Sequence, residues 1–198
     1  EIEVFQKFDS DDDKDKIKNF LVSKDLINSF RSDILVASDV FNISKLAKLF
    51  AITELFGFHH ATAFQNLRFY YNPVIAKLEP IGYDQTVIDN IKNSGLYVEK
   101  IENQNFETLW YKIFQDKEFI KEYYLTLKFF SESSYLDNFF ENYAEDLLSK
   151  NKIINKSYPT YKFNAKKQLY DNQIYIKKIL NPDKILNVHY NYKNENIL

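Results

Sequence analysis

Cysteine and methionine are absent from the 198 residues, glycine occurs three times, proline four times and tryptophan once. Without cysteine there can be no disulfide, no thiol nucleophile and no thiolate-bound zinc, although this leaves the compartment open. Three isolated glycines, Gly57, Gly82 and Gly95, cannot build a Gly-rich loop over phosphates. No apolar run approaches the roughly 18 residues of a membrane span, and the N-terminus carries no leader-like segment. The formal net charge is −2 and basic residues form no cluster, which argues against a dedicated nucleic-acid or anionic-membrane binder. A chain that opens at Glu1 and lacks methionine is expected to be a piece of a longer or processed protein.

Aromatic residues are abundant instead, with 15 Tyr and 18 Phe. Their distribution, alongside frequent Asn, Lys and Ile, fits core packing better than a stacking platform for sugars or bases. The length suffices for one domain with a real core, or for one domain and part of another.

Along the chain, Asp9-Ser10-Asp11-Asp12-Asp13-Lys14-Asp15 places acids at alternate positions, as calcium loops do. An EF-hand needs Gly at its sixth place and Glu at its twelfth, and Lys14 and Phe20 stand there instead. The run therefore reads as the acidic start of a helix carrying Ile17, Phe20, Leu21, Leu26 and Ile27 at helical spacing. After a connector over 32–41, Asn42 or Ser44 caps a strongly periodic helix with Leu46, Leu49, Phe50, Thr53 and Phe56 on one side, ended by Gly57. Residues 85–96 read as polar and partly mobile, and 97–101 as a short strand or extended link. Helical periodicity returns over 106–114, from Asp116 or Lys117 to Phe130, over 132–150 and over 166–180, with breaks at 149–159 and at Asn181-Pro182. Beyond that boundary Leu186, Val188, Tyr190 and Tyr192 alternate with Asn187, His189 and Asn191, a strand period. The expected organisation is a domain over 1–180 and a strand-like segment over 181–198 that leads to, or belongs to, a following domain.

The stretch from Phe58 to Asp84 carries the chemistry. Two short aromatic and β-branched runs flank Asn72-Pro73, predicting a hairpin with strands near 67–71 and 77–81. Opposed residues in an antiparallel hairpin have numbers with a constant sum, and a turn centred at Ile75 sets Asn66 beside Asp84 at the open end. An amide oxygen and a carboxylate presented together are hard oxygen ligands of the kind Mg²⁺ accepts, with phosphates and waters completing its shell. Turn and cap roles for the same two residues are the alternative. Arg68 and Lys77, on neighbouring strands, are either phosphate contacts or solvated charges. The fold class that follows is α+β and mostly helical.

This order of helix, loop with Asn, hairpin and Asp resembles the C-terminal lobe of protein kinases. The wording of the stretch, together with Val40-Phe41-Asn42-Ile43-Ser44-Lys45-Leu46-Ala47-Lys48-Leu49, is similar to the CotH family, spore-coat-protein-H-like atypical kinases found mainly in bacteria. Close similarity covers residues 38–83 and extends by fold analogy to about 180. The resemblance implies Mg²⁺ and ATP as cofactors, held by Asn66 and Asp84, and transfer of phosphate to protein Ser or Thr. It implies as partners a protein substrate or a coat or surface protein, and an N-terminal lobe outside this sequence. A bacterial cell-surface, spore-coat or extracytoplasmic setting goes with it.

One position departs from the family pattern. The acid expected five residues before the metal-binding Asn falls at Ala61, whose methyl group can neither orient nor deprotonate a nucleophile. His59 and His60 are the nearby groups that could act as base in its place, or they serve only the loop's own structure. Two functions stay open: a CotH-like phosphotransferase lobe with impaired or altered chemistry, a pseudokinase in effect, and a non-catalytic docking module of a surface or coat assembly.

Overall fold

In a computed structural model the protein is described over residue 2 and residues 14–57, 59–85, 88–103, 109–163 and 165–182, the side chains of 64, 102 and 103 excepted. The acidic run up to Asp13 and the alternating segment Ile185 to Tyr192 lie outside the described residues. Among the described residues the fold is mostly helical with one two-stranded antiparallel sheet, in the α+β class expected. Among the described residues no helix is long and apolar enough to cross a membrane.

Helix α1 spans Lys14–Arg31, and α2 is the single turn Ala37–Val40 within the expected connector. The centre of the molecule is α3, Ile43–Phe56. Asn42 caps it through its side chain on the Lys45 amide, and Gly57 closes it at φ 72°, donating to the Glu54 carbonyl. A side chain at position 57 would also meet the Asp89 carbonyl oxygen at 2.4 Å, so glycine is required twice over. Leu46, Ala47, Phe50, Ala51 and Leu55 are fully buried, so α3 is enclosed on more than the one side its stripe suggested.

Strands β1, Arg68–Asn72, and β2, Lys77–Ile81, follow two 3₁₀ turns and form the expected hairpin. Arg68 opposes Ile81 and Asn72 opposes Lys77, so the turn centre lies between Val74 and Ile75. The register is one residue away from the one expected, which would set Asn66 against Tyr83 and not Asp84 if pairing continued. A bridge from Phe41 to Leu78 and the bond from the Asn42 amide to the Leu78 carbonyl (2.8 Å) fasten β2 to the start of α3.

Residues 88–96 are anchored, against expectation. Helix α4, Ile91–Ser94, places Ile91 and then Leu96 fully inside the core. Tyr97–Asn103 is a helix, α5, and not an extended link. The Leu96 amide donates to the Glu99 carboxylate at 2.7 Å and the Tyr97 amide to the Glu54 carboxylate at 2.6 Å. Those capping bonds and the burial of Tyr97 outweigh the strand preference of Val98 and Ile101.

The helical base comprises α6, Leu109–Gln115, α7, Lys117–Phe130, α8, Ser133–Asn142, α9, Ala144–Ser157, and α10, Ala165–Leu180. Asp116 caps α7 by accepting from the Glu118 and Phe119 amides, and Phe119, Tyr123, Leu127 and Phe130 are its buried stripe as expected. The single helix expected over 132–150 is divided at Tyr143, and the second part runs on to Ser157. Nothing in α9 is buried, so its course follows local helix preference until Pro159 disfavours the helical conformation at Tyr158. One apolar cluster runs through the molecule, from Phe30 and Phe41 through α3 and α7 to Leu169 and Ile176 of α10.

Candidate functional site

The loop between α3 and β1 is wound into the turns His59–Thr62 and Phe64–Asn66, which bring His60 back over Asn66. Asn66 is 7% exposed, and its Nδ2 donates to the His60 carbonyl at 3.0 Å. The same Nδ2 lies 3.1 Å from His60 Nδ1. On the other side His60 Nδ1 stands 3.2 Å from Asp84 Oδ2. One ring nitrogen serves one of these partners at a time. Because the His60 carbonyl already accepts one hydrogen of the Asn66 amide, a proton on Nδ1 directed to Asp84 gives the carboxylate its donor without breaking that bond. The Asn66 carbonyl oxygen is then left without a hydrogen bond among the described residues.

Asn66 and Asp84 therefore meet through an imidazole at the mouth of the hairpin, not as directly opposed strand residues. Asp84 follows the end of β2 at φ 51°, a left-handed conformation that an L-residue adopts at a cost of about 1–2 kcal/mol. The observed outlier belongs with the site, because it presents a half-exposed carboxylate to His60.

The two adjacent histidines have unlike surroundings. His60 is half exposed, whereas His59 packs edge-on against Tyr97 with ring centroids 4.9 Å apart. Burial, reinforced by the Lys100 ammonium, pushes His59 down to about 4, so it is neutral at physiological pH. Lys100 Nζ lies 3.2 Å from His59 Nδ1, which assigns the ring proton to Nε2. That buried Nε2 has no hydrogen-bond partner among the described residues. Ala61 is only 2% exposed, so a carboxylate placed there would be buried in the loop and not face an acceptor. Thr62 beside it is held by Tyr97, by the His59 carbonyl and by Trp110 Nε1, which donates to its carbonyl at 2.8 Å.

Arg68 and Lys77, both partly buried, are engaged with backbone carbonyls. Arg68 Nη1 donates to the Gln65 carbonyl at 2.6 Å and the guanidinium lies over the Tyr83 ring, tying the loop to the segment that carries Asp84. Lys77 Nζ binds the Ser38 and Asp39 carbonyls at the end of α2.

Sequence reasoning missed Glu54. It lies fully buried on α3, with one oxygen on the Tyr97 amide and the other on the Tyr123 hydroxyl. Desolvation pushes its carboxyl up to about 8, keeping it neutral at pH 7 despite those two bonds. A glutamate flanked by Ala51, Thr53 and Leu55 in the second half of α3, which has no other charged residue, was the available signal. It lies behind the 59–66 loop and has no exposed surface, so it supports the site from inside.

Comparison with protein-family models, with curated proteins and with solved structures finds no match. Among the described residues no group of three or more His, Cys, Asp or Glu side chains is placed to hold a metal ion. Any cation here would rest on Asp84 and the Asn66 oxygen alone.

Proposed function

We propose that this chain is the C-terminal-lobe part of a CotH-like, kinase-like protein that holds a Mg-nucleotide, with impaired or altered transfer of phosphate to protein Ser or Thr. The observation that carries this reading is the convergence of Asn66 and Asp84, far apart in sequence, on His60. The Asp84 carboxylate and the Asn66 oxygen would hold the cation, and the cation would neutralise phosphate charge. His60 orients the carboxylate and is the accessible imidazole beside it, so of the two histidines it is the one that could accept a proton from an acceptor hydroxyl. His59 cannot, because it is enclosed by Tyr97 and Lys100. Among the described residues no Gly-rich strand pair with a phosphate-directed Lys is present, so on this reading turnover requires that lobe as well.

A second reading, a non-catalytic docking module of a surface or coat assembly, is favoured by Ala61, where the expected acid is replaced by a buried methyl group.

The test is binding and does not require turnover. Adding Mn²⁺–ATP to isotopically labelled protein should broaden resonances of residues 59–66 and 82–85 selectively. Asp84→Ala should abolish the broadening, and Asn66→Ala should weaken it. Broadening that ignores both substitutions, or that spreads evenly over the surface, refutes the metal-nucleotide site and leaves the docking module.

A further inference from the structure

Two clefts flank the C-terminal half of α7. The first, of about 560 Å³, lies between α3, β2 and α7, where Ile52, Pro80, Leu125 and Phe129 give it an apolar lining beside Lys45 and Lys48. The second, of about 510 Å³, lies between α7 and α10 and is lined by Lys128, Lys177 and Lys178 together with Ile174. Leu125, Lys128 and Phe129 stand three and four positions apart on one helix, so they are neighbours on a single outward face that carries lining residues of both clefts. Leu125 is 48%, Phe129 61% and Ile174 63% exposed. Single exposed apolar side chains are ordinary, but a group of them along adjoining clefts marks an interaction surface. Asn66, His60 and Asp84 line neither cleft.

The charge around this face is one-sided. Lys45, Lys48, Lys128, Lys177 and Lys178 line the two clefts against one carboxylate, Glu132, in a chain whose 28 acidic residues outnumber its 26 basic ones. Lys45 is held by Glu79, but Lys48, Lys128, Lys177 and Lys178 form no ion pair among the described residues. The helix dipole favours lysine in the last turns of α7 and α10, which accounts for Lys128, Lys177 and Lys178. It does not account for Lys48 in the first half of α3, or for the open apolar side chains next to these cations.

We propose that this face of α7 docks an acidic amphipathic helix of a partner protein, its apolar side chains resting on Leu125 and Phe129 and its carboxylates facing Lys48 and Lys128. Charge complementarity sets the sign of the partner. The groove sets its form: an anionic bilayer would also attract lysines beside exposed apolar groups, but it presents no side chains to fill a concave apolar cleft. The spacing agrees with helix-in-groove recognition, which uses anchors one turn apart. From Leu125 to Phe129 the helix rises about 6 Å, the same step as between residues i and i+4 of a docked helix.

The test uses the full chain and a fluorescein-labelled, helix-forming peptide with leucines on one face and glutamates on the other. The same peptide with lysine in place of glutamate is the control. Fluorescence anisotropy should show binding of the glutamate peptide that weakens as salt rises, and none of the lysine peptide. Phe129→Glu should lower the affinity about tenfold or more. Lys48→Glu combined with Lys128→Glu should lower it a few-fold and remove most of the salt dependence. Circular dichroism checks that each variant keeps its helix content, and Leu125→Glu is the second groove variant if Phe129→Glu does not. Absence of binding, equal binding of both peptides, or binding unchanged in the folded groove variant overturns the proposal. Sedimentation that shows self-association lost in the groove variant would assign the face to a second copy. Pelleting with phosphatidylserine vesicles without any peptide binding would assign it to a membrane, and either result also overturns the proposal.

Discussion

Glu54 is the residue on which the interior depends most. It joins α3, α5 and α7 by accepting from the Tyr97 amide and the Tyr123 hydroxyl, with Lys100 and Glu99 the nearest charges. Its carboxyl is raised by burial from an ordinary 4.5 to about 8, so the folded protein holds this proton more tightly than the unfolded chain. The associated stability is complete below pH about 4.5 and is lost as pH rises to about 8. His59 has the opposite sign: its folded value near 4 lies below the ordinary 6.5, so its contribution is lost as pH falls from 6.5 toward 4. Above pH 6.5 the two no longer oppose one another. Urea unfolding of the wild type should therefore show a midpoint that falls between pH 6.5 and 8, and Glu54→Gln should flatten that fall. The amide can still accept from Tyr97 and donate to Tyr123, and it has no charge to desolvate. An identical slope in the variant would show that Glu54 is not the titrating group.

At the scale of elements, the hairpin and the two best helices were legible and the segments between them were not. The Asn72-Pro73 turn and the aromatic strands are local signals, as are the Asn42 and Asp116 caps and the αL glycine at 57. Residues 88–103 carry only short local signals, the Asn90 cap, Gly95 and the Leu96–Glu99 bond, and much of what holds them comes from elsewhere. Asn172 of α10 accepts from the Ile91 amide at 3.1 Å and donates to the carbonyls of Leu55 and Asp89, binding α3 and α4 to the last helix. Asn172→Leu keeps the volume but removes the partner of three backbone groups, two of them buried, each buried one costing about 1–3 kcal/mol before relaxation. We expect a loss of several kcal/mol in denaturant unfolding, with faster hydrogen exchange across 88–96. A loss confined to α10 would mean that the segment is held by Ile91 and Leu96 alone. The candidate site divides in the same way: Asn66, Asp84 and the two histidines stood out in the sequence, but the register slip and the interposed His60 did not, since only the wound 59–66 loop brings that ring between the Asn66 amide nitrogen and Asp84 Oδ2.

At the scale of the molecule, one apolar cluster links α1, α3, the hairpin, α7 and α10. Trp110, the single tryptophan, packs beside Tyr97 and binds the Thr62 carbonyl, so its fluorescence reports the loop that carries the site. If the cluster unfolds as a unit, urea transitions followed by Trp110 emission and by helical circular dichroism should coincide. An earlier transition at Trp110 would show that the loop opens before the helical base.

The amino-acid sequence by itself determined the fold class, the hairpin, the core stripes of α3 and α7, and the residue types at the site. Each of these follows from neighbours a few positions apart, through periodicity, caps and turn chemistry. Tertiary structure alone decided that Glu54 is buried and neutral, that Tyr97–Asn103 is helical, that Arg68 and Lys77 serve backbone carbonyls, and that His60 joins Asn66 to Asp84. The reason is physical: desolvation and hydrogen bonds to distant backbone depend on which segments pack together, and that information is held by no single window of the chain.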